Sequence, residues 1–440
     1  MRTESLREEL HRIGESAPVA DVPDDTWARA RRARRRGRVL AGAAVAVLLL
    51  ALGGVTGVLP RPGSTPVAGS SAPGLPDHLY AVPDSARPAD DLAAGRTVAA
   101  WIDPLHRRAV LVGAVDGAYH VVDLPGMNEV PILDEPALAL SPDGYHLAWA
   151  FGDESARQTG IRVLDLRTGR LTTAALDEGE GVSVLQLAFA PGGRWLGWSG
   201  AVLTYWDEHG SRADRIAVGR LDIGTDVPEV LRAGGRWPDP TVIGADDRGR
   251  VQVLDQGHLT TLGGRHVSRT PVAAGRVAGP VVLDPASGLL ATGVGGNGPV
   301  AQPGPGTAAV EVDPVAGGAR AYPSTAAEAF TTALAWVGPD VLVAVAPLEG
   351  SSVGPEDGTL ELVGPGHAPR VVGHLDASVP WTLAVASDLV TAQHPTVSRP
   401  EPDWPWSDER LALTIGLGVA GALALLVAAR LLLRRRLMPR

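Results

Sequence analysis

The sequence predicts an all-β domain, a β-propeller, flanked by two transmembrane α-helices. A strand–turn–strand unit returns about every 40–50 residues through the middle of the chain, which is the period of propeller blades. Two long apolar runs without a charged residue lie near the two ends. Arginine clusters stand outside both runs, on the sides that face away from the middle of the chain. These three observations predict a domain with a membrane anchor at each end.

Composition excludes several kinds of site. The chain has no cysteine, so it has no disulfide, no thiolate metal site and no cysteine nucleophile. All 39 basic residues are arginine, a bias typical of a GC-rich, actinobacterial genome. Net charges of +3 over residues 1–38 and +5 over residues 430–440 leave −18 for residues 39–429 of a chain whose total is −10. Nucleic-acid binding by the middle region is not expected, because phosphate contacts need clustered basic residues.

Residues 1–38 are predicted to form a cytoplasmic tail that contains a short helix. A capping-box sequence begins this helix, and Leu6, Leu10 and Ile13 follow on one of its faces. Such a short helix cannot bury its own apolar stripe. It is therefore either part of a solvated tail or a partner-binding peptide, in which Leu6, Leu10, Ile13 and, further on, Trp27 contact the partner.

Residues 39–59 and 411–433 are predicted to be transmembrane helices. The first run has 21 residues without a charge, and at ~1.5 Å per residue it matches the ~30 Å hydrocarbon core of a bilayer. The second has 19 such residues, Leu411 to Ala429, and Arg430 can extend to the interface. A cleaved signal peptide is the alternative for the first run, but its length and the long region before it favour a helix.

The flanking arginines predict the orientation. Positive residues next to membrane spans remain in the cytoplasm, so both termini are expected there and the middle of the chain outside, in the cytoplasmic membrane of a cell. A Pro/Gly/Ser linker (60–75) and a juxtamembrane linker (396–410) join the spans to the large domain, and 434–440 is a basic cytoplasmic tail. The residues that set this topology are Arg34, Arg35, Arg36, Arg38, Arg434, Arg435 and Arg436.

Residues 76–395 are predicted to form one propeller. Each repeat has two apolar strands around a Pro/Gly/Asp turn and then a more polar hairpin, so the inner strands are expected to be buried and the outer ones exposed. Repeats starting near 97, 137, 185, 240, 280, 332 and 381 favour seven blades, with six as the alternative because the last repeat is short. A strand at His78–Val82 would complete the ring. Two β-sandwich domains are the other architecture that this strand spacing allows.

Two stretches resemble known families. Ser141-Pro142-Asp143-Gly144, with Leu147-Ala148-Trp149 soon after, resembles the blades of TolB-type and WD-repeat propellers, and Ala190–Gly193 begins a second copy. The arginine-rich N-terminus resembles the cytoplasmic starts of actinobacterial membrane proteins that regulate extracytoplasmic-function sigma factors. The first resemblance implies a propeller fold, and the second implies a sigma factor as the partner of the tail.

Motifs that would carry chemistry are weak. Gly197–Ala201 has the letters of a nucleophile elbow, but more strand follows it where the elbow needs a helix. Gly293–Gly298 has the letters of a dinucleotide fingerprint, and prolines follow it. The histidines are scattered, and Asp246-Asp247 is predicted to be a solvated turn in preference to a calcium site. No catalytic residue, cofactor or metal is therefore expected.

The function that these features favour is a non-enzymatic, membrane-anchored binding module. It would bind a ligand or protein outside the cell, as a sensor or anti-sigma-like regulator that signals through its cytoplasmic tail. An envelope hydrolase that uses the propeller channel, acting on peptides or glycans, is the first alternative, since propeller sites assemble from distant blades. A purely structural envelope scaffold is the second.

Overall fold

The computed structural model describes residue 11, most of residues 72–404 and single positions between 415 and 430. Within 72–404, it leaves out residues 104, 130–135, 154–157, 208–209, 234–241, 256–257, 272–277, 285, 294–306, 314–315, 317, 327–328, 348–356, 377–382, 394 and 403.

The chain divides into two compact units, residues 1–63 with 406–440, and residues 64–405. In the first unit, His11 and the described positions from 415 to 430 are helical. Among the described residues, no helix has both the length and the apolar character that crossing a membrane requires.

Apart from His11, the predicted cytoplasmic tails lie outside the described residues, as do the predicted span at 39–59 and about half of the span predicted at 411–433. These segments remain predictions.

The second unit is a six-bladed β-propeller of four-stranded antiparallel blades, and one blade carries an extra outer strand. From the innermost strand outward, blade 1 contains β25 (Ala384–Val385), β2 (Thr97–Asp103), β3 (Arg108–Gly113) and β4 (Tyr119–Val122). Blade 2 contains β5 (Leu138–Leu140), β6 (His146–Asp153), β7 (Gln158–Asp165) and β8 (Arg170–Ala175). Blade 3 contains β9 (Val182–Phe189), β10 (Trp195–Asp207), β11 (Gly210–Asp222) and β12 (Val227–Ala233).

The other three blades continue around the ring in chain order. Blade 4 contains β13 (Val242–Ala245), β14 (Val251–Asp255), β15 (His258–Leu262) and β16 (Ser268–Pro271). Blade 5 contains β17 (Ala278–Leu283), β18 (Leu290–Gly293), β19 (Thr307–Val312) and β20 (Ala319–Pro323). Blade 6 contains β21 (Ala329–Val337), β22 (Asp340–Pro347), β23 (Gly358–Val363), β24 (Arg370–Leu375) and, outermost, β1 (His78–Leu79). Short 3-10 turns lie at Met127–Glu129 and Ser387–Leu389.

The repeated turn phrase has a clear physical basis in blade 2. The Ser141 hydroxyl accepts a hydrogen bond from the His146 amide at 2.8 Å and donates one to the Asp143 carboxylate at 2.6 Å, which folds the chain back between β5 and β6. Gly144 has φ +76°, and a Cβ there would overlap the Thr97 carbonyl. The Asp143 carboxylate, which also accepts from the Tyr145 amide at 3.0 Å, acts here as a turn former.

Buried tryptophans occupy the second strand of three blades. Trp101 on β2, Trp149 on β6 and Trp198 on β10 are all fully buried. Their apolar neighbours on the two inner strands form the clusters between blades, whereas outer strands such as β8 and β20 are largely exposed. The predicted order of buried inner and exposed outer strands is confirmed, and the alternative of two β-sandwiches is wrong.

The ring closes at both ends of the propeller segment. β25 pairs antiparallel with β2 and supplies the innermost strand of blade 1, while β1 pairs in parallel with β24 on the outside of blade 6. The preference for seven blades is therefore wrong. The repeats near 97 and 381 are two parts of one blade, because the first lacks an innermost strand and the second consists of that strand alone.

Both ends of the propeller segment lie on one face. Because blade strands alternate in direction, this face carries the turns after the innermost strands and the turns after the third strands, and we call it the turn face. β1 starts there, since it runs parallel to β24, and β25 ends there. The Val397 amide donates to the Leu75 carbonyl at 2.7 Å, and the Arg399 guanidinium donates to the Ala72 carbonyl at 2.9 Å. The predicted meeting of the two ends is confirmed for residues 72–404.

Candidate functional site: the central channel

The innermost strands of the six blades surround a cavity of about 400 Å³, which is the central channel of the propeller. It is lined by parts of β5, β9, β17, β21 and β25, together with Ala245 of β13. Most lining side chains are aliphatic, and the polar ones are Gln186, Thr332, Ser387 and Asp388. A concave surface with mostly aliphatic and aromatic side chains and a few polar groups is the usual character of a small-ligand or peptide site.

Two aromatic rings stand near the turn-face end of this channel. Phe189 lies at the end of β9 and Trp336 near the end of β21, and both line the cavity. The Trp336 indole donates a hydrogen bond to the Val282 carbonyl at 2.9 Å, which fixes the ring against the neighbouring blade. Pro142 and Pro191, in the turns just beyond β5 and β9, border the same end. This end therefore presents rigid apolar surfaces that lose little entropy when a ligand binds.

Asp388 places a carboxyl group at that end. The turn Ser387–Leu389 follows β25, and the Asp388 amide donates to the Pro142 carbonyl at 3.0 Å. Burial within the surrounding protein, and next the nearby Asp143 carboxylate, raise the pKa of Asp388, while Arg96 opposes them. Arg96 is held in place because its Nε donates to the Asp143 carbonyl at 2.9 Å. Asp388 thus keeps its proton to higher pH than an ordinary aspartate.

The wall of the channel also carries an amide group with unused hydrogen-bonding capacity. Gln186 lies on β9, opposite Ser199 of β10, and its Oε1 is buried without a hydrogen-bond partner among the residues that the structure describes. Because this oxygen has no accessible surface, the Gln186 side chain would have to rotate for it to accept a bond from a ligand, and the bond so gained would offset a cost of about 1–3 kcal/mol for the unmade one. Gln186 and Asp388 are the polar groups that could orient an otherwise apolar occupant.

None of the predicted contact residues or topogenic arginines is among the residues that the structure describes, so these remain predictions. Leu6, Leu10, Ile13 and Trp27 lie outside the described residues, as do all seven topogenic arginines. The channel groups Asp388, Phe189 and Gln186 were not singled out from the sequence. Phe189 and Asp388 could have been found from their position at or just after the end of an apolar strand near proline or serine, whereas Gln186, in the middle of β9, has no such signal.

The weak chemical motifs have structural explanations where they are described. Ser199 is buried inside β10, so the predicted strand at Gly197–Ala201 is confirmed. Asp246 accepts bonds from the Arg250 amide at 2.8 Å and the Arg250 Nε at 2.6 Å, as a turn former does. Most of Gly293–Gly298 lies outside the described residues. Among the residues that are described, no three acidic or histidine side chains are grouped as metal ligands would be.

Comparison with known proteins gives only distant similarities to solved structures. No family model matches it, and no curated protein matches it. TolB from Acinetobacter baumannii is similar at 14% identity and a TM-score of 0.37, with 67% of each chain covered. The propeller domain of the Trilobed protease from Pyrococcus furiosus is similar at 12% identity and a TM-score of 0.36, covering 63% of this chain and 82% of that one. Kuenenia stuttgartiensis hydrazine synthase is similar at 17% identity and a TM-score of 0.35, covering 59% of this chain and 67% of that one. The strand pairings of the chain itself carry the six-blade assignment.

Proposed function

We propose that this chain is a non-enzymatic binding module, anchored in the cytoplasmic membrane, whose propeller binds an apolar ligand or peptide outside the cytoplasm. The observation that carries this proposal is the central channel. Its lining is aliphatic and aromatic, and its few polar groups, Gln186, Thr332, Ser387 and Asp388, are suited to orienting an occupant. A channel of about 400 Å³ has room for a few side chains of a peptide or for one small molecule.

Binding can be tested on the full chain in lipid nanodiscs with an array of immobilised decapeptides. Wild type is expected to bind peptides rich in apolar and aromatic residues. Leu185→Arg, which puts a charge into the channel lining, should weaken that binding at least about tenfold, because an unpaired charge is costly in an apolar site. Leu105→Arg is the matched control, since Leu105 is 79% exposed on the opposite face from the turn face. Equal binding by all three proteins would contradict the role of the channel.

Membrane anchoring is supported by the two uncharged runs, 39–59 and 411–429, and by the adjacent exits of the chain at Leu75 and Val397. The absence of cysteine makes topology easy to measure. With a membrane-impermeant maleimide on intact cells, Leu105→Cys, on the face opposite the turn face, should react at once, and Met438→Cys only after the membrane is opened. The reverse pattern, or equal labelling, would contradict the proposed in–out–in topology.

Signalling through the tail is the finer part of the proposal. The apolar face formed by Leu6, Leu10 and Ile13, with Trp27, is proposed to bind a sigma factor. Full-length protein should retain a co-expressed extracytoplasmic-function sigma factor on affinity resin, and a Leu10→Asp/Ile13→Asp variant should lose it. An Arg2→Asp/Arg12→Asp variant is the control for a purely electrostatic attraction. Retention by the Leu10/Ile13 variant equal to wild type would remove the tail from the proposal.

An envelope hydrolase is the second candidate, and Asp388 is the observation that favours it. A carboxyl group with a raised pKa beside a second carboxylate, Asp143, is an arrangement that acid–base catalysts use. Asp388→Asn should then abolish hydrolysis of casein or peptidoglycan by the purified full chain. If wild type hydrolyses neither substrate above the rate of the variant, this candidate fails for those substrate classes.

A further inference from the structure

The turn face carries exposed apolar side chains within or beside its turns. Val115 lies in the turn after the third strand of blade 1, whereas Val227 begins the outermost strand of blade 3 and Val267 directly precedes that of blade 4, where the chain leaves the equivalent turns. The three side chains are 56%, 62% and 66% exposed. All three lie on the turn face, on three of its six blades.

At its C-terminal end, the propeller segment leaves the turn face through a short linker, the tether, that starts at Trp404. The ring of Trp404 stands edge-on to Tyr119, with centroids 5.2 Å apart, and Tyr119 stands edge-on to the buried Trp101 at 5.9 Å. The tether therefore starts from a defined point on blade 1, beside the turn that carries Val115. Only six residues lie between Trp404 and Leu411, where the apolar run begins, so the two are at most ~25 Å apart along the chain.

The short linker and the three exposed valines together indicate one partner. We propose that the turn face docks on the surface of the lipid bilayer, with Val115, Val227 and Val267 in the headgroup region and the nearby end of the channel directed toward the membrane. This inference depends on the membrane anchoring proposed above, because the tether is short only if Leu411 begins a span. Three valines bring little apolar area, so the contact is weak by itself and needs the tether to hold it.

Site-directed fluorescence in nanodiscs tests the docking, since the chain has no cysteine of its own. An environment-sensitive fluorophore is attached to single cysteines at Val227 and Val267, and at Leu105 and Tyr205 as controls on the opposite face. Lipids with a nitroxide on the headgroup should quench the first pair at least about twofold more than the second, because quenching requires contact with the interface. Equal quenching at the two faces would overturn the inference.

A second measurement separates this inference from the proposed function. Resistance to alkaline extraction and co-flotation with vesicles report anchoring alone. An anchored protein with equal quenching at both faces would keep the anchoring and reject the docking, whereas a protein that does not float would reject both. Val227→Glu/Val267→Glu should reduce quenching at an Ala286→Cys reporter on the turn face without changing flotation, and Leu105→Glu should leave both unchanged.

Discussion

The amide of Val397 donates a hydrogen bond of 2.7 Å to the carbonyl oxygen of Leu75, and this bond joins the two ends of the propeller. Each end of the segment also supplies one closure strand. A ring closed only by contacts between neighbouring blades would open at its weakest junction. Here β25 completes blade 1 and β1 covers blade 6, so opening that junction must break pairings made by both ends of the segment.

If β1 closes the ring, replacing its buried leucine by alanine should destabilise the protein far more than replacing an exposed leucine. Leu79 on β1 is fully buried in the cluster shared by blades 1 and 6, whereas Leu105 is 79% exposed. Leu79→Ala should lower the free energy of unfolding by about 2–5 kcal/mol, from lost burial and the cavity left behind. Leu105→Ala should change it by less than about 0.5 kcal/mol. Thermal unfolding of the full chain in detergent, followed by tryptophan fluorescence, measures both, and equal midpoints would mean that β1 does not hold the ring.

The tryptophan of blade 3 predicts a strict requirement for glycine on the neighbouring strand. A Cβ at Gly219 would overlap the Trp198 indole and the Glu229 carbonyl, whereas a Cβ at Gly318 meets nothing within 4 Å. Gly219→Ala should therefore destabilise the protein by about 1–3 kcal/mol, the usual cost of overpacking a core. Gly318→Ala should have little effect.

A double variant checks that explanation. Trp198→Leu removes the ring that the new methyl group would meet, so adding Gly219→Ala to it should cost less than in wild type. The Glu229 carbonyl stays in place, so the relief is partial. Additive effects of the two substitutions on the unfolding midpoint would show that the ring is not the obstacle.

The sequence predicted the propeller because each blade repeats a local signal. The phrase from Ser141 to Gly144 makes its own hydrogen bonds, so its meaning does not depend on the rest of the fold. The number of blades depends on which strand pairs with which across the whole chain. β25 has only two residues, and nothing local shows that its partner is β2.

The candidate site was less predictable, for a related reason. Phe189, Trp336 and Asp388 come from three separate innermost strands or the turns after them, and each looks in sequence like part of an ordinary buried strand or turn. Only the closure of the ring brings them to one end of a channel. The raised pKa of Asp388 arises from this closure too, because Asp143 belongs to the next blade.

The pair Arg194 and Asp222 predicts one direction of pH dependence. The Arg194 guanidinium donates to the Asp222 carboxylate at 2.8 Å and lowers the pKa of Asp222, and the Gly224 amide acts in the same direction. A lowered folded-state pKa stabilises the protein above the unfolded value of about 3.9, and this contribution is lost as the pH falls further. The effect is modest, since the Arg194 side chain is 66% exposed and screened by water.

Arg194→Gln is the variant that measures it. Its unfolding midpoint should lie below that of wild type at pH 7, and the difference should shrink as the pH falls below about 4. Arg87→Gln, at another exposed arginine, controls for the loss of one positive charge from an acidic protein. A difference between Arg194→Gln and wild type that is constant with pH would exclude this ion pair as its source.

Asp388 predicts the opposite sign. Burial and Asp143 raise the pKa of Asp388, so the folded state holds its proton more tightly than the unfolded state, and stability falls as the pH rises between the two values. Asp388→Asn removes the charge while keeping the shape of the side chain. Its unfolding midpoint relative to wild type should therefore be higher at pH 7 than at about pH 4, where the unfolded carboxyl also begins to hold a proton. Asp90→Asn, at an exposed aspartate, is the control and should show no such gain. If the unfolding midpoint of Asp388→Asn relative to wild type is no higher at pH 7 than at pH 4, the charged carboxylate of Asp388 does not destabilise the folded protein. The pKa of Asp388 is then not raised by its place at the channel end, and neither ligand binding nor catalysis by this group would have electrostatic support.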